Sequence, residues 1–149
     1  MKIVVSPNPY RDKQFKNARQ ACSILREAGA EVALCLPFDV DKTFEIPHDL
    51  RFQDIQKEIK TADMLICFGG DGTILHSSKI ATEHNLPILG VNIGTMGFIA
   101  ELESGEIELL RRIPKGEYTV EERTMLDVSV GNGRQTIFHE TALNDAVIT

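Results

Sequence analysis

Short apolar runs alternate with segments of helical period through the first two thirds of the chain, the pattern of a parallel sheet covered by helices. Lys2–Val5 reads as a first strand. From Phe15 to Ala28 the apolar residues Phe15, Ala18, Cys22, Leu25 and Ala28 recur three or four apart, and Gly29 stands where a helix ends. That is a helix with one buried stripe. Glu31–Leu36 reads as a second strand closed by Pro37, the stretch through Pro47 as loop, and Phe52, Ile55 and Ile59 as a short second helix. Met64–Phe68 is apolar without interruption, which predicts a strand buried on both faces. A helix over Ile74–Glu83, stopped near Asn85 and Pro87, leads to a fourth strand, Pro87–Val91. Ser104 is placed to cap a helix reaching Ile113, with Glu106 and Glu108 near its positive end and Arg111 and Arg112 near its negative end. The predicted fold class is therefore α/β, a parallel sheet with flanking helices.

After Pro114 the pattern changes. Leu126, Val128 and Val130 alternate with polar residues, Gly131-Asn132-Gly133 offers a tight turn, and Thr136, Ile137 and Phe138 begin a returning strand, so a hairpin is expected. A further apolar run covers Ala142–Ile148. Residues 1–115 are thus expected to form an α/β domain carrying a glycine-rich phosphate loop, and residues 116–149 the beginning of an incomplete β-rich domain.

Composition narrows the function classes. In 149 residues, 22 Asp and Glu outweigh 16 Lys and Arg for a net charge of -6, with 42% hydrophobic residues and no basic block. Binding a nucleic acid by phosphate neutralisation needs clustered cations on one face, so that partner is not expected; a small nucleotide remains open. Cys22, Cys35 and Cys67 lie far apart inside apolar patterns, with no CxxC pair or Cys/His spacing, and read as core residues of a reducing compartment. The apolar start Ile3-Val4-Val5 is too short for a signal peptide, and no run approaches a membrane span. A cytoplasmic location without a membrane partner is the expectation.

The chemistry concentrates where the third strand runs into Gly69-Gly70-Asp71-Gly72-Thr73. Glycines there let the backbone approach a ligand, and the helix start that follows offers N–H groups to an anion. This describes a phosphate cradle. Asp71 would be repelled by phosphate unless it binds a metal or takes the proton of an attacking hydroxyl; the competing reading is a tight turn in which Asp71 caps the helix. Neither GxxxxGK[ST] nor GxGxxG is present. A second glycine loop, Asn92 through Gly94 to Gly97, ends the fourth strand at the same sheet edge, and Phe98 either stacks on a base or packs in the core. His76 follows the first loop within reach of a phosphate, or is simply an exposed helical side chain. Asn144-Asp145 interrupts the last apolar run; such a pair can bond an adenine edge and ribose hydroxyls, or form a strand-end turn. His48, His84 and His139 show no spacing that suggests a site.

Taken together, Gly69-Gly70-Asp71-Gly72-Thr73, Gly90-Val91-Asn92-Ile93-Gly94 with Gly97-Phe98, and Asn144-Asp145 resemble the NAD kinases, also called inorganic polyphosphate/ATP-NAD kinases. The resemblance implies transfer of a phosphoryl group from ATP, or from polyphosphate, to the 2′-hydroxyl of the NAD adenosine ribose, giving NADP. It implies Asp71 as the base, a divalent cation, Mg2+, accompanying the phosphates, and no metal-ligating residues to be named from the sequence. Asp71 and Gly72 would contact the dinucleotide, His76 would stand where a basic residue approaches it, Phe98 would lie beside the adenine, and Asn144 and Asp145 would hold the adenosine. Gly69, Gly70, Thr73, Asn92 and Gly94 complete the implied binding set. Met96 stands where the family commonly has leucine. Family members are longer, with a complete β-sandwich domain and dimeric or tetrameric forms, so the resemblance implies the amino-terminal part of a homo-oligomeric enzyme. A diacylglycerol-type lipid kinase shares the first loop but has no adenosine to recognise in its acceptor. A non-catalytic nucleotide-binding fragment is the other alternative, and gains little from a carboxylate among phosphates.

Overall fold

The computed structural model describes residues 1–94 and 97–143, and the chain divides into two compact units, Met1–Tyr118 and Thr119–Thr149. The first unit is built on strands β1 (Lys2–Pro7), β2 (Glu31–Leu34), β3 (Met64–Gly69), β4 (Ile88–Asn92) and β5 (Leu102–Glu103). They pair in the order β2-β1-β3-β4-β5, every pairing parallel. All six residues of β3 are buried, as its unbroken apolar run requires of a strand covered on both faces.

The covering helices segregate by face. Ile3, Val5, Ile66, Phe68 and Val91 pack with α1 (Lys16–Glu27) and with a 3-10 helix, Ser104–Lys115, through Ala18, Leu25, Ile107 and Leu110. The alternate residues Val4 and Leu65 pack with Ile59 and Ala81, on the side of α2 (Ile55–Glu58) and α3 (Asp71–Glu83). This is the two-residue alternation of a strand buried between two helix layers. From β1 the chain crosses on one face to β2, and from β3 it crosses on the other to β4. The order therefore reverses between β1 and β3, and the crevice outside the carboxyl ends of those two strands is where an open α/β sheet receives a ligand.

Local chemistry sets the element ends. Asp12, buried, accepts from the Asn17 backbone N–H at 3.0 Å, the Asn17 side-chain amide at 2.9 Å and the Ala18 N–H at 2.9 Å, and so satisfies the start of α1. Phe15 just before it takes a left-handed conformation and is sealed under Phe52 and Phe44, with ring centroids at 4.9 and 6.2 Å. Gly29 follows α1 at φ +94°. The helix expected from Ser104 is capped one residue earlier: Glu103 and Glu106 form a reciprocal capping box, and the helix passes Pro114 to end at left-handed Gly116. Phe52 lies outside α2, which starts at Ile55 under the Asp54 side chain. The strand expected to reach Leu36 stops at Leu34, with Cys35 bridged to Gln53.

In the second unit the expected hairpin is present as β6 (Leu126–Gly131) and β7 (Thr136–Ala142), antiparallel with an irregularity at Val130/Gly131. Its turn is longer than a two-residue one: the Asn132 carboxamide oxygen accepts from the Arg134 and Gln135 N–H groups, both at 3.1 Å. Most of the apolar run Ala142–Ile148, including Asn144 and Asp145, lies outside the described residues, as do Thr95 and Met96.

Candidate functional site

The carboxyl ends of β1, β3 and β4 open onto one cleft of about 540 Å³ lined by Asn8, Arg11, Phe38, Gly70, Asp71, Gly72, Thr73, His76, Asn92, Ile93 and Gly97. Parallel register brings these loops level. Gly69 pairs with Asn92, and the Gly69 carbonyl accepts from the Ile93 N–H at 3.1 Å, so the two glycine loops leave the sheet side by side.

Helix α3 begins three residues earlier than its apolar period indicates, at Asp71, with Gly70 in extended conformation as its N-cap. Gly70, lacking a side chain, gives this terminus no side-chain cap. The Thr73 N–H is bonded to the Gly70 carbonyl at 2.9 Å, so the Asp71 and Gly72 N–H groups, with the positive end of the helix, are what the cleft offers to phosphate. A β-carbon on Gly69 would stand 2.3 Å from the Thr73 hydroxyl oxygen, whereas Gly70 and Gly72 face open space. The first glycine seats the helix against the strand, and the other two leave room for a ligand.

The Asp71 carboxylate does not cap its own helix, which removes the tight-turn reading. It turns to the second loop: the Phe98 N–H donates to Oδ1 at 3.2 Å and Oδ2 at 3.1 Å, and the Ile99 N–H donates to Oδ1 at 3.2 Å. A carboxylate has about four acceptor sites, so these contacts leave one on Oδ2. The side chain is thus oriented by two amides and still able to accept a proton. Gly97 closes against it, since a β-carbon there would lie 2.3 Å from Oδ1.

The other expected residues divide. Thr73 is buried, its hydroxyl accepting from the Asn8 carboxamide at 2.8 Å. Asn92 is buried and donates to both carboxylate oxygens of Glu103, at 3.2 and 3.0 Å. The His76 Nε2 lies 3.0 Å from the Pro37 carbonyl, which only accepts, so that nitrogen carries the proton; the ring meets Phe38 edge-on at 5.7 Å. His76 lines the cleft as a held side chain. Gly94 has φ +141°, and Phe98 is 98% exposed, which excludes the core-aromatic reading for it. Asn144 and Asp145 lie outside the described residues.

Three lining residues had no motif to announce them. Asn8 and Arg11 sit in the turn after β1, and Phe38 in the loop after β2. Their signal was positional: they follow parallel strands at the carboxyl edge. Among the described residues no group of three or more His, Cys, Asp or Glu is placed to hold a metal, and Asp71 is the one carboxylate among the lining residues. No helix among them is long and apolar enough to cross a membrane.

Comparison with known proteins supplies three findings. The family described as ATP-NAD kinase N-terminal domain matches residues 2–118. An NAD kinase of Acetivibrio thermocellus is 30% identical over 100% of this chain and 50% of its own length, and one of Caldanaerobacter subterraneus subsp. tengcongensis is 34% identical over 99% and 51%. The chain spans about half the length of the curated relatives it matches. The crystal structure of yeast NADH kinase complexed with NADH superposes with a TM-score of 0.70 at 20% identity, covering 97% of this chain and 47% of that one, a likeness of fold.

Proposed function

We propose, from the premise that this chain belongs to the NAD kinase family, that the protein transfers the terminal phosphoryl group of ATP, or of polyphosphate, to the 2′-hydroxyl of the NAD adenosine ribose, giving NADP. One observation carries the reading: a single carboxylate, Asp71, is locked by the Phe98 and Ile99 amides at the open N-terminus of α3, beside the place where phosphate would sit. A pure phosphate binder gains nothing from that charge. A phosphoryl transferase needs it, because the attacking hydroxyl must lose a proton as its oxygen bonds to phosphorus.

In this reading the 2′-hydroxyl gives its proton to the open acceptor site of Asp71 Oδ2. The oxygen bonds to the terminal phosphorus, and the bond from that phosphorus to the bridging oxygen breaks, releasing ADP or shortened polyphosphate. The Asp71 and Gly72 N–H groups at the start of α3 bind the negative oxygens of the transferred group, which is positioning and electrostatic stabilisation rather than covalent catalysis. A divalent cation, Mg2+, supplies charge neutralisation on the donor phosphates when bound. One lining carboxylate suits a cation held mainly by substrate phosphates rather than by a protein cage. Exposed Phe98 offers a stacking face for the adenine, and Asn144 and Asp145 are assigned to the adenosine. Gly69, Gly70, Gly72, Thr73, His76, Asn92 and Gly94 complete the site.

The wider assignments are a cytoplasmic enzyme, supported by three buried free thiols, and a dimer or tetramer, supported by the exposed Leu126, Val130, Ile137 and Phe138 of the hairpin. The whole protein incubated with ATP, Mg2+ and NAD should form NADP. Asp71→Asn should lower that rate by roughly 100-fold or more while NAD binding, followed by calorimetry, changes little. Phosphorylation of diacylglycerol without NADP formation would sink the proposal.

A further inference from the structure

Arg11 is the cation of the cleft that no motif predicts. Its backbone is fixed twice over. The Arg11 N–H donates to the Asn8 carbonyl at 3.1 Å, and its carbonyl accepts from the Lys13 N–H at 3.1 Å. Asn8 in turn is fastened to the glycine loop, its N–H to the Phe68 carbonyl at 2.8 Å and its carboxamide to the Thr73 hydroxyl at 2.8 Å. Asp12, the next residue, is buried and accepts from the Asn17 and Ala18 N–H groups in the first turn of α1. The turn that carries Arg11 is therefore attached both to the start of α3 and to the start of α1.

The side chain reaches across the cleft rather than away from it. Its Nη1 lies 3.7 Å from the position a β-carbon on Gly94 would take, so the guanidinium reaches from the β1 turn toward the loop after β4, in the cleft that Gly70, Gly72 and Thr73 also line. No carboxylate among the described residues pairs with the guanidinium. Asp71, the lining carboxylate, is already bonded to the Phe98 and Ile99 amides.

Such a charge, carried on a fixed turn and unneutralised in a cleft that also holds the open end of a helix, suits an anion of several charges. A triphosphate brought next to Asp71 meets repulsion that the helix dipole alone offsets only in part, since a helix terminus amounts to about half a charge. A planar guanidinium gives two parallel N–H donors to a phosphate and a full positive charge. The acceptor hydroxyl belongs on the Asp71 side of the cleft, where the proton is taken. Arg11 enters the cleft from the β1 side of the Gly69–Thr73 loop, whereas the Asp71 carboxylate is held from the β4 side.

We infer that Arg11 clamps the phosphate chain of the phosphoryl donor, bonding its terminal phosphates and taking no part in holding NAD. The assignment rests on the phosphotransfer reading for the donor's role, but not for phosphate binding itself. Because it reads phosphates and not a base, it serves a nucleoside triphosphate and a linear polyphosphate alike.

The test uses the whole protein and the variants Arg11→Ala, Arg11→Gln and Arg11→Lys, with folding followed by circular dichroism. Calorimetry with inorganic tripolyphosphate, with MgATP and with NAD is run separately. Arg11→Ala and Arg11→Gln should weaken tripolyphosphate and MgATP by at least about tenfold, with NAD affinity within about twofold, and Arg11→Lys should recover part of the loss. In steady-state assays KM for ATP should rise more than KM for NAD. Tripolyphosphate and MgATP binding that is unchanged in both neutral variants overturns the inference, as does an equal loss of NAD binding. Loss of MgATP binding with tripolyphosphate unaffected also overturns it, because the contact is then to the nucleoside. Arg11-dependent tripolyphosphate binding in a protein that forms no NADP supports the clamp and refutes the phosphotransfer reading.

Discussion

A β-carbon added to Gly97 would stand 2.3 Å from Oδ1 of Asp71, the oxygen that accepts from both the Phe98 and Ile99 N–H groups. The chain can deliver those two amides to the carboxylate only because residue 97 lacks a side chain. Gly97 is thus a positioning residue for Asp71, acting through the backbone that follows it.

Gly97→Ala should force the 97–99 segment away from Asp71. We expect kcat for NADP formation to fall by roughly 10–100-fold, the scale on which an ångström of misplacement acts. The melting temperature should move little, because the segment borders the cleft and Phe98 is exposed. A purely structural role would show the reverse, a lowered melting temperature with kcat retained. Steady-state kinetics and a thermal melt on the same preparation separate the two.

Gly90 on β4 is a second place where α3 presses closely on the sheet. A β-carbon there would lie 2.6 Å from Ile74 Cδ1 and 3.3 Å from Ala100 Cα. Gly90→Ala should destabilise the protein by about 1–3 kcal/mol through overpacking. Ile74→Val removes the methyl group that collides, so the double variant should be more stable than Gly90→Ala alone even though Ile74→Val by itself costs about 1 kcal/mol. Urea unfolding of the four proteins in a double-mutant cycle reads the coupling, and simple additivity would count against a direct Gly90–Ile74 contact.

Burial pushes the three thiols up, Cys22 to about 11 and Cys35 and Cys67 to about 12, from an ordinary 9.0. For Cys35 and Cys67 nearby carboxylates add to burial, Glu58 and Asp54 at the first and Glu101 at the second. At pH 8 the thiolate fraction of Cys67 is on the order of 10⁻⁴, so native protein should be nearly inert to a thiol-specific disulfide reagent, while denatured protein exposes all three cysteines. The linkage has a definite sign. The folded chain keeps protons that the unfolded chain loses above pH 9, so the thiol contribution is complete below that pH and falls as pH rises toward 12. Cys35→Ala should make the alkaline decline of stability shallower; an unchanged slope would contradict the account.

Wherever partners lie close along the chain, the elements can be read from the amino-acid pattern alone. The period of Ala18, Cys22 and Leu25 places α1, and the unbroken run Met64–Phe68 places a strand covered on both faces. Cap chemistry is less legible, because several oxygen-bearing residues compete for one helix start. Ser104 has the side chain for a cap, yet Glu103 takes the position with Glu106 in reciprocal hydrogen bonds. Asp71 has the position and the chemistry to serve its own helix, and instead accepts from amides that lie 27 and 28 residues away.

The residues Asn8, Arg11 and Phe38 mark the limit more sharply. Nothing within a few positions of Asn8 distinguishes it from any polar residue after a strand. Its partner Thr73 is 65 residues distant, and only the parallel pairing of β1 with β3 brings the two together. The amino-acid sequence by itself determined strands β1 to β4, the long helices, the glycine loops and the carboxylate among them, because hydrophobic period and backbone freedom are local properties; the two-residue strand β5 left no such pattern. The tertiary structure decided which side of Asp71 is held and which is open, which cation faces the loop, and where the sheet order reverses. Those depend on strand order and register, and they bring together side chains whose separation in sequence carries no record of their contact.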